Sequence, residues 1–150
     1  MIAEVRGDIL EVKIDAIAHG CNTQGIMNAG LARVLKKRYP AMYREYKSYC
    51  EAGLFQPGDV HFYRNPEKNK PHIINVATQV DLRRGAAKLE YVRRGLEKLE
   101  ESYGEWGLTN LALPRIGCGL GGLKWRDVRE AVRDVFSDSD LEVVIVSGEE

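Results

Sequence analysis

Leu108-Thr-Asn-Leu-Ala-Leu-Pro-Arg-Ile-Gly-Cys-Gly-Leu-Gly-Gly-Leu-Lys-Trp125 runs from an apolar stretch through a glycine-rich turn into a helical pattern. Gly117, Gly119, Gly121 and Gly122 fall within six residues. Between a strand and a helix, such glycines let backbone N–H groups turn inward with no side chain in the way. That is how a chain cradles phosphate oxygens. The lysine and Ser/Thr of a nucleotide-hydrolysing P-loop are absent, and the glycine order does not fit a dinucleotide fingerprint. The stretch therefore predicts a phosphate site of another kind.

The rest of the chain alternates strand and helix signals around it. Strands are expected over 2–6, 15–19, 60–63, 72–77, 108–113 and 141–147. Helices are expected from Leu31 to the cations Lys36-Lys37-Arg38, from Pro40 to Gly53, over Leu89, Val92, Leu96 and Leu99, and over Trp125, Val128, Val132 and Val135. This predicts a three-layer α/β/α fold with a central mixed, mostly parallel sheet. Ligands of such sheets bind beyond the carboxyl ends of the strands. The loops leaving those ends are 7–8, 19–30, 78–85, 117–122 and 147–148.

Composition narrows the function. The 150 residues suit one domain over 1–150 with a full core. Lys+Arg and Asp+Glu are both 22, so the formal net charge is zero, which argues against a large footprint on duplex nucleic acid. Reading a single nucleotide remains compatible with that balance. No apolar run approaches the roughly 20 residues of a membrane span, and the N-terminus is charged where a signal peptide would be apolar. Cys21, Cys50 and Cys118 are odd in number and widely spaced, which fits neither a disulfide framework nor a CxxC zinc site. A cytoplasmic monomer without metal or cofactor is the expectation.

The opening strand with Gly7-Asp8-Ile9, the Cys21-Asn22-Thr23 segment with residues 25–32, and the stretch Pro114-Arg-Ile-Gly-Cys-Gly-Leu-Gly-Gly-Leu-Lys-Trp125 together resemble the macrodomain superfamily. The resemblance covers essentially the whole chain. It is strongest to the branch holding terminal ADP-ribose (ADP-ribosyl-glutamate) hydrolases and DNA-de-ADP-ribosylating antitoxins. It implies a macrodomain-like fold that binds ADP-ribose or an ADP-ribosylated macromolecule, with ADP-ribosylated nucleic acid among the possible partners. Asp8 would accept from the adenine amine and Ile9 would line that recess. Asn22 would face the distal ribose. Met27, Asn28, Ala29 and Gly30 would run along the diphosphate and that ribose, with Thr78 nearby. Gly117, Cys118, Gly119, Leu120 and Gly121 would wrap the diphosphate from the other side.

Two departures bear on catalysis. Hydrolases of this branch carry a lysine directly after the threonine matching Thr78; here that residue is Gln79, which forms no Schiff base and carries no charge. The terminal ADP-ribose hydrolases have an aspartate where this chain has Gly121, whereas the antitoxin-like members share Gly121-Gly122. Lys88 and Lys124 lie near ligand loops but not at the matching position. Two readings follow. In one, a hydrolase of protein-linked or nucleic-acid-linked ADP-ribose, or of ADP-ribose 1''-phosphate, positions a water with Asn22 and Gln79. In the other, the chain is a non-catalytic reader of ADP-ribose.

Each residue also has a plainer reading. Asp8 would cap the turn after the first strand, and Asn22 would be a turn residue. His19 would be a satisfied buried histidine, and Cys118 lacks a basic partner for nucleophilic work. Tyr43, Tyr46 and Tyr49 would pack a helix.

Overall fold

The computed structural model describes residues 1–148; of the expected domain over 1–150, positions 149 and 150 lie outside the described residues. The chain runs β1 (Ile2–Arg6), a 3-10 turn (Ile9–Glu11), β2 (Ala16–Cys21), α1 (Gly30–Arg38), α2 (Pro40–Glu51), β3 (Val60–Tyr63), β4 (His72–Ala77), α3 (Leu89–Ser102), β5 (Asn110–Leu113), α4 (Trp125–Phe136) and β6 (Glu142–Ser147). The six strands form one sheet in the order β1-β6-β5-β2-β4-β3. Every neighbouring pair is parallel except β3 with β4. The sheet is therefore mixed and mostly parallel, as the alternation of elements predicts.

Strand alternation sorts the core into two layers. Ile17 and Cys21 of β2, with Ile73 and Ala77 of β4, pack on Leu35 of α1, Met42 and Tyr46 of α2, and Tyr39 between the two helices. Ala16 and Ala18, with Ile74 and Val76, face Val92, Leu96 and Leu99 of α3 and Val128, Val132 and Phe136 of α4. No helix of the described residues is long and apolar enough to cross a membrane.

Several boundaries differ by one or two residues from the sequence expectation, and one turn is new. Strand β2 continues through Gly20 and Cys21, because β4 offers them partners at Val76 and Ala77. The fifth strand starts at Asn110 rather than Leu108. The segment after β1, given no element by its composition, forms a 3-10 turn capped by Asp8, whose Oδ1 accepts from Leu10 N at 2.9 Å.

Candidate functional site

The carboxyl ends of β2, β4 and β5 open into a cavity of about 310 Å³. Its walls come from three loops: residues 22–29 leading into α1, residues 78–82 after β4, and residues 114–121 after β5. A recess of about 380 Å³ adjoins it, formed by Gly7, Asp8, Ile9, Val146 and Gly148. Leu31 and Pro114 line both spaces, so the two make one bent cleft.

The backbone around the cleft carries unpaired donors. In the glycine loop, the amides of Ile116, Cys118, Gly122 and Leu123 donate to Pro114, Arg115, Gly119 and Gly117 carbonyls. Those of Gly117, Gly119, Leu120 and Gly121 have no acceptor among the described residues. Across the cavity, α1 begins at Gly30 with no side-chain cap on its first turn. Helix N-termini and runs of free amides are both anion sites. Gly30 has φ +57, so the chain enters the helix through a conformation that resists a side chain. The residue before it, Ala29, has no polar group with which to close the helix end.

The glycines of the loop do different jobs. At Gly121 an added Cβ would meet Ala87 Cβ and the Gly117 carbonyl oxygen, each at 2.7 Å. An aspartate does not fit there without moving the loop. Gly119 is the opposite case. It has no left-handed φ, and an added Cβ meets nothing within 4 Å. Its freedom from a side chain serves the space in front of it.

The side chains expected at the site divide into groups. Asn22, Met27, Asn28, Ala29, Gly30, Thr78, Gln79, Gly117, Gly119, Leu120 and Gly121 all line the main cavity, and Asp8 and Ile9 line the recess. Cys118 is not in either lining. Its thiol contacts Ile116 O, and burial pushes its pKa up, away from nucleophilic behaviour.

Asn22 is largely spent on its own loop. Its Oδ1 accepts from Gln24 N, Ile26 N and Tyr46 Oη, and its Nδ2 donates to Ile26 O at 2.8 Å. One Nδ2 hydrogen is left over. Gln79 Nε2 donates to Asp81 O at 2.6 Å, which leaves Oε1 as its free acceptor. Thr78 is buried, with its N–H on Cys21 O and Oγ1 3.5 Å from the same carbonyl.

His19 forms part of the cavity floor and belongs to a buried polar row. Its Nε2 lies 2.6 Å from Asn75 Oδ1; Asn75 Nδ2 lies 3.0 Å from His61 Nδ1; and His61 Nε2 lies 3.0 Å from Glu45 Oε2. Each amide or ring N–H donates to the next acceptor, ending on the carboxylate, so both rings are neutral. Burial lowers the His19 pKa to about 4, with the Asn75 bond opposing. His19 is thus a satisfied core histidine. Pro114, Leu31 and Val146 were not singled out from sequence as site residues. Leu31 and Pro114 carried a signal only as members of the quoted segments 25–32 and 114–125, and Val146 carried none.

The sequence model of the Macro domain family matches residues 18–132. The chain belongs to the Macro domain family. It is 34% identical over 137 residues to the DNA ADP-ribosyl glycohydrolase of Thermus aquaticus, covering 91% of this chain and 38% of that one. It is 28% identical to human ADP-ribose glycohydrolase OARD1, covering 96% and 90%. The macrodomain of Mycobacterium tuberculosis DarG superposes with a TM-score of 0.91 at 32% identity over 97% of both chains. The chain spans 38% to 42% of the length of the DNA ADP-ribosyl glycohydrolases it matches. The mixed sheet and its flanking helices follow the fold of that macrodomain.

Within this Macro domain, Asp8 offers a test that separates its cap from its cleft role. Asp8→Asn keeps an oxygen for Leu10 N but turns an amide donor toward the recess. Both Asp8→Asn and Asp8→Ala are expected to weaken ADP-ribose binding by about 1–3 kcal/mol, measured by calorimetry. Unchanged affinity in both variants removes Asp8 from the site.

Proposed function

We propose that the bent cleft binds ADP-ribose and that the chain hydrolyses ADP-ribose conjugates, with a nucleic-acid-linked conjugate as the preferred substrate. The observation that carries the reading is the pair of unpartnered amide sets, from residues 117–121 and from the start of α1, on facing walls of one cavity. A diphosphate between them receives N–H donors from both sides. The recess then takes a flat ring against Ile9, Leu31, Pro114 and Val146, with the free Asp8 Oδ2 accepting from an exocyclic amine. The distal ribose falls by Asn22, Thr78 and Gln79. The names of the 34% and 33% identical relatives favour nucleic acid as the carrier.

Hydrolysis at this place runs through water. The water oxygen attacks the anomeric carbon and forms the new C–O bond. The bond to the carrier breaks with its electron pair, and the departing group takes a proton. Gln79 Oε1 holds the water through one of its hydrogens, the remaining Asn22 N–H orients the sugar, and a substrate phosphate oxygen accepts the proton the water loses. His19, held neutral and hydrogen-bonded to Asn75, takes no part as a base.

A second reading, a non-catalytic reader, is favoured by one observation: the Gln79 amide is folded onto Asp81 O, and no lysine or carboxylate side chain of the described residues lines the main cavity. Turnover separates the two. The chain is expected to release ADP-ribose from an ADP-ribosylated oligonucleotide, and Gln79→Ala is expected to slow release roughly ten-fold or more while ADP-ribose affinity stays within a few-fold. Gln79→Lys is expected to raise turnover and to give a borohydride-trappable adduct on the new lysine. Binding without turnover on nucleobase, glutamate, serine and 1''-phosphate substrates makes the chain a reader. Full turnover in Gln79→Ala with no adduct in Gln79→Lys removes Gln79 from the chemistry.

A further inference from the structure

The opposite pole of the sheet holds a second concavity that the ADP-ribose reading does not use. It lies at the amino ends of β2, β4 and β5 and has a volume of about 560 Å³. Strands β2 and β4 span six residues each, so about 20 Å of sheet separate it from the cleft. Lys13, Arg38, Arg64 and Lys70 line it, and none is ion-paired with a carboxylate of the described residues. Asp15 is the one carboxylate of the described residues in the lining, and its Oδ2 already accepts the N–H and hydroxyl of Thr109.

Three further features distinguish this basin from a loose spread of surface cations. Arg64 is held in place: its Nη2 donates to Trp106 O at 3.0 Å and its guanidinium sits 5.0 Å from the Phe62 ring centre. Trp106 stacks on Phe62 at 4.5 Å and 5°, which gives the basin a fixed aromatic wall. Tyr39, only 7% exposed, lines the basin, and its hydroxyl, without a hydrogen bond among the described residues, is its solvent-accessible tip. An anchored arginine among unpaired cations, an aromatic wall and a free hydroxyl donor are the parts of a site for single-stranded nucleic acid, where the backbone meets charge and an unstacked base meets a ring.

We propose that this basin binds the phosphate backbone of single-stranded nucleic acid, with a base against Trp106. Zero net charge is no obstacle, because the four cations are local and the bound stretch of strand is short. Binding here is independent of hydrolysis at the cleft. A duplex has no unstacked base to place on the indole.

The test is fluorescence anisotropy of a labelled oligothymidylate with the protein held in excess ADP-ribose, so that the cleft does not report. The expected result is binding that weakens with salt, and at least ten-fold weaker binding in Arg64→Glu/Lys70→Glu. Lys13→Glu/Lys70→Glu, whose side chains make no hydrogen bonds among the described residues, is expected to weaken it similarly. The slope of log K against log salt is expected to fall by about 0.7 for each phosphate that is no longer neutralised. Arg44→Glu/Arg126→Glu, charge-matched and elsewhere on the surface, is expected to change affinity less than three-fold. Absence of binding at low salt overturns the proposal, as does an equal loss in the control variant. Equally tight competition by inorganic phosphate or by thymidine monophosphate overturns the strand reading in favour of a small-anion site. If ADP-ribose fails to bind, the basin variants still report on the oligonucleotide, so the two readings fail separately.

Discussion

Gly119→Val is expected to fold normally and to lose ADP-ribose. An added Cβ at this position meets no atom within 4 Å, and the backbone is outside the left-handed region, so a β-branched residue causes no internal clash. The residue lines the cavity between two amides without partners. A valine there occupies space that a diphosphate needs and holds it away from the Gly117 to Gly121 amides. Calorimetry is expected to show affinity reduced at least 100-fold, about 3 kcal/mol, while the melting temperature stays close to that of the parent. The backbone at Gly119 adds no strain, so steric exclusion is the whole cause of the loss. Unchanged affinity in the folded variant means the loop does not touch ligand.

Asn75→Leu is expected to give the largest loss of stability. Asn75 is fully buried in β4 and joins His19 on β2 to His61 on β3. Leucine leaves the His19 Nε2–H and the His61 Nδ1 without partners in an apolar layer. Each orphaned group costs about 1–3 kcal/mol, and the two together roughly 3–5 kcal/mol, or a melting temperature lower by roughly 10 °C. The row also sets a pH response. His19 has a folded pKa of about 4 against 6.5 in the unfolded chain, so the unfolded state binds more protons as pH falls. Stability is full above pH 6.5 and declines between 6.5 and about 4, by about 3 kcal/mol. His61, lowered by burial and partly restored by Glu45, adds to the same trend. A flat melting temperature over that window contradicts the neutral, buried assignment of the row.

The glycine loop was legible because its chemistry is local: spacing, neighbours and the flanking strand and helix are all contiguous in the chain. The sheet class followed from the alternation of periodicities for the same reason. What stayed hidden depends on register. His19, Asn75 and His61 come from three strands and stand opposite one another only once β2, β4 and β3 are aligned. The hydrogen bond of Asn22 to Tyr46 spans 24 positions of sequence, so how far its side chain is committed to its own loop was not visible. Gln79 occupies the expected loop, but the turn of its amide onto Asp81 is a rotamer choice that no spacing encodes. The joining of recess and cavity by Leu31 and Pro114 was equally invisible, since apolar residues at element ends carry no signal of what they wall off.

Isothermal titration of the chain with ADP-ribose, with AMP and NAD as comparators, tests the central claim most directly. Saturable one-to-one binding is expected, tighter for ADP-ribose than for AMP, because AMP reaches the recess but does not span the facing amides. No detectable heat or competition at millimolar ADP-ribose would contradict the assignment of the cleft.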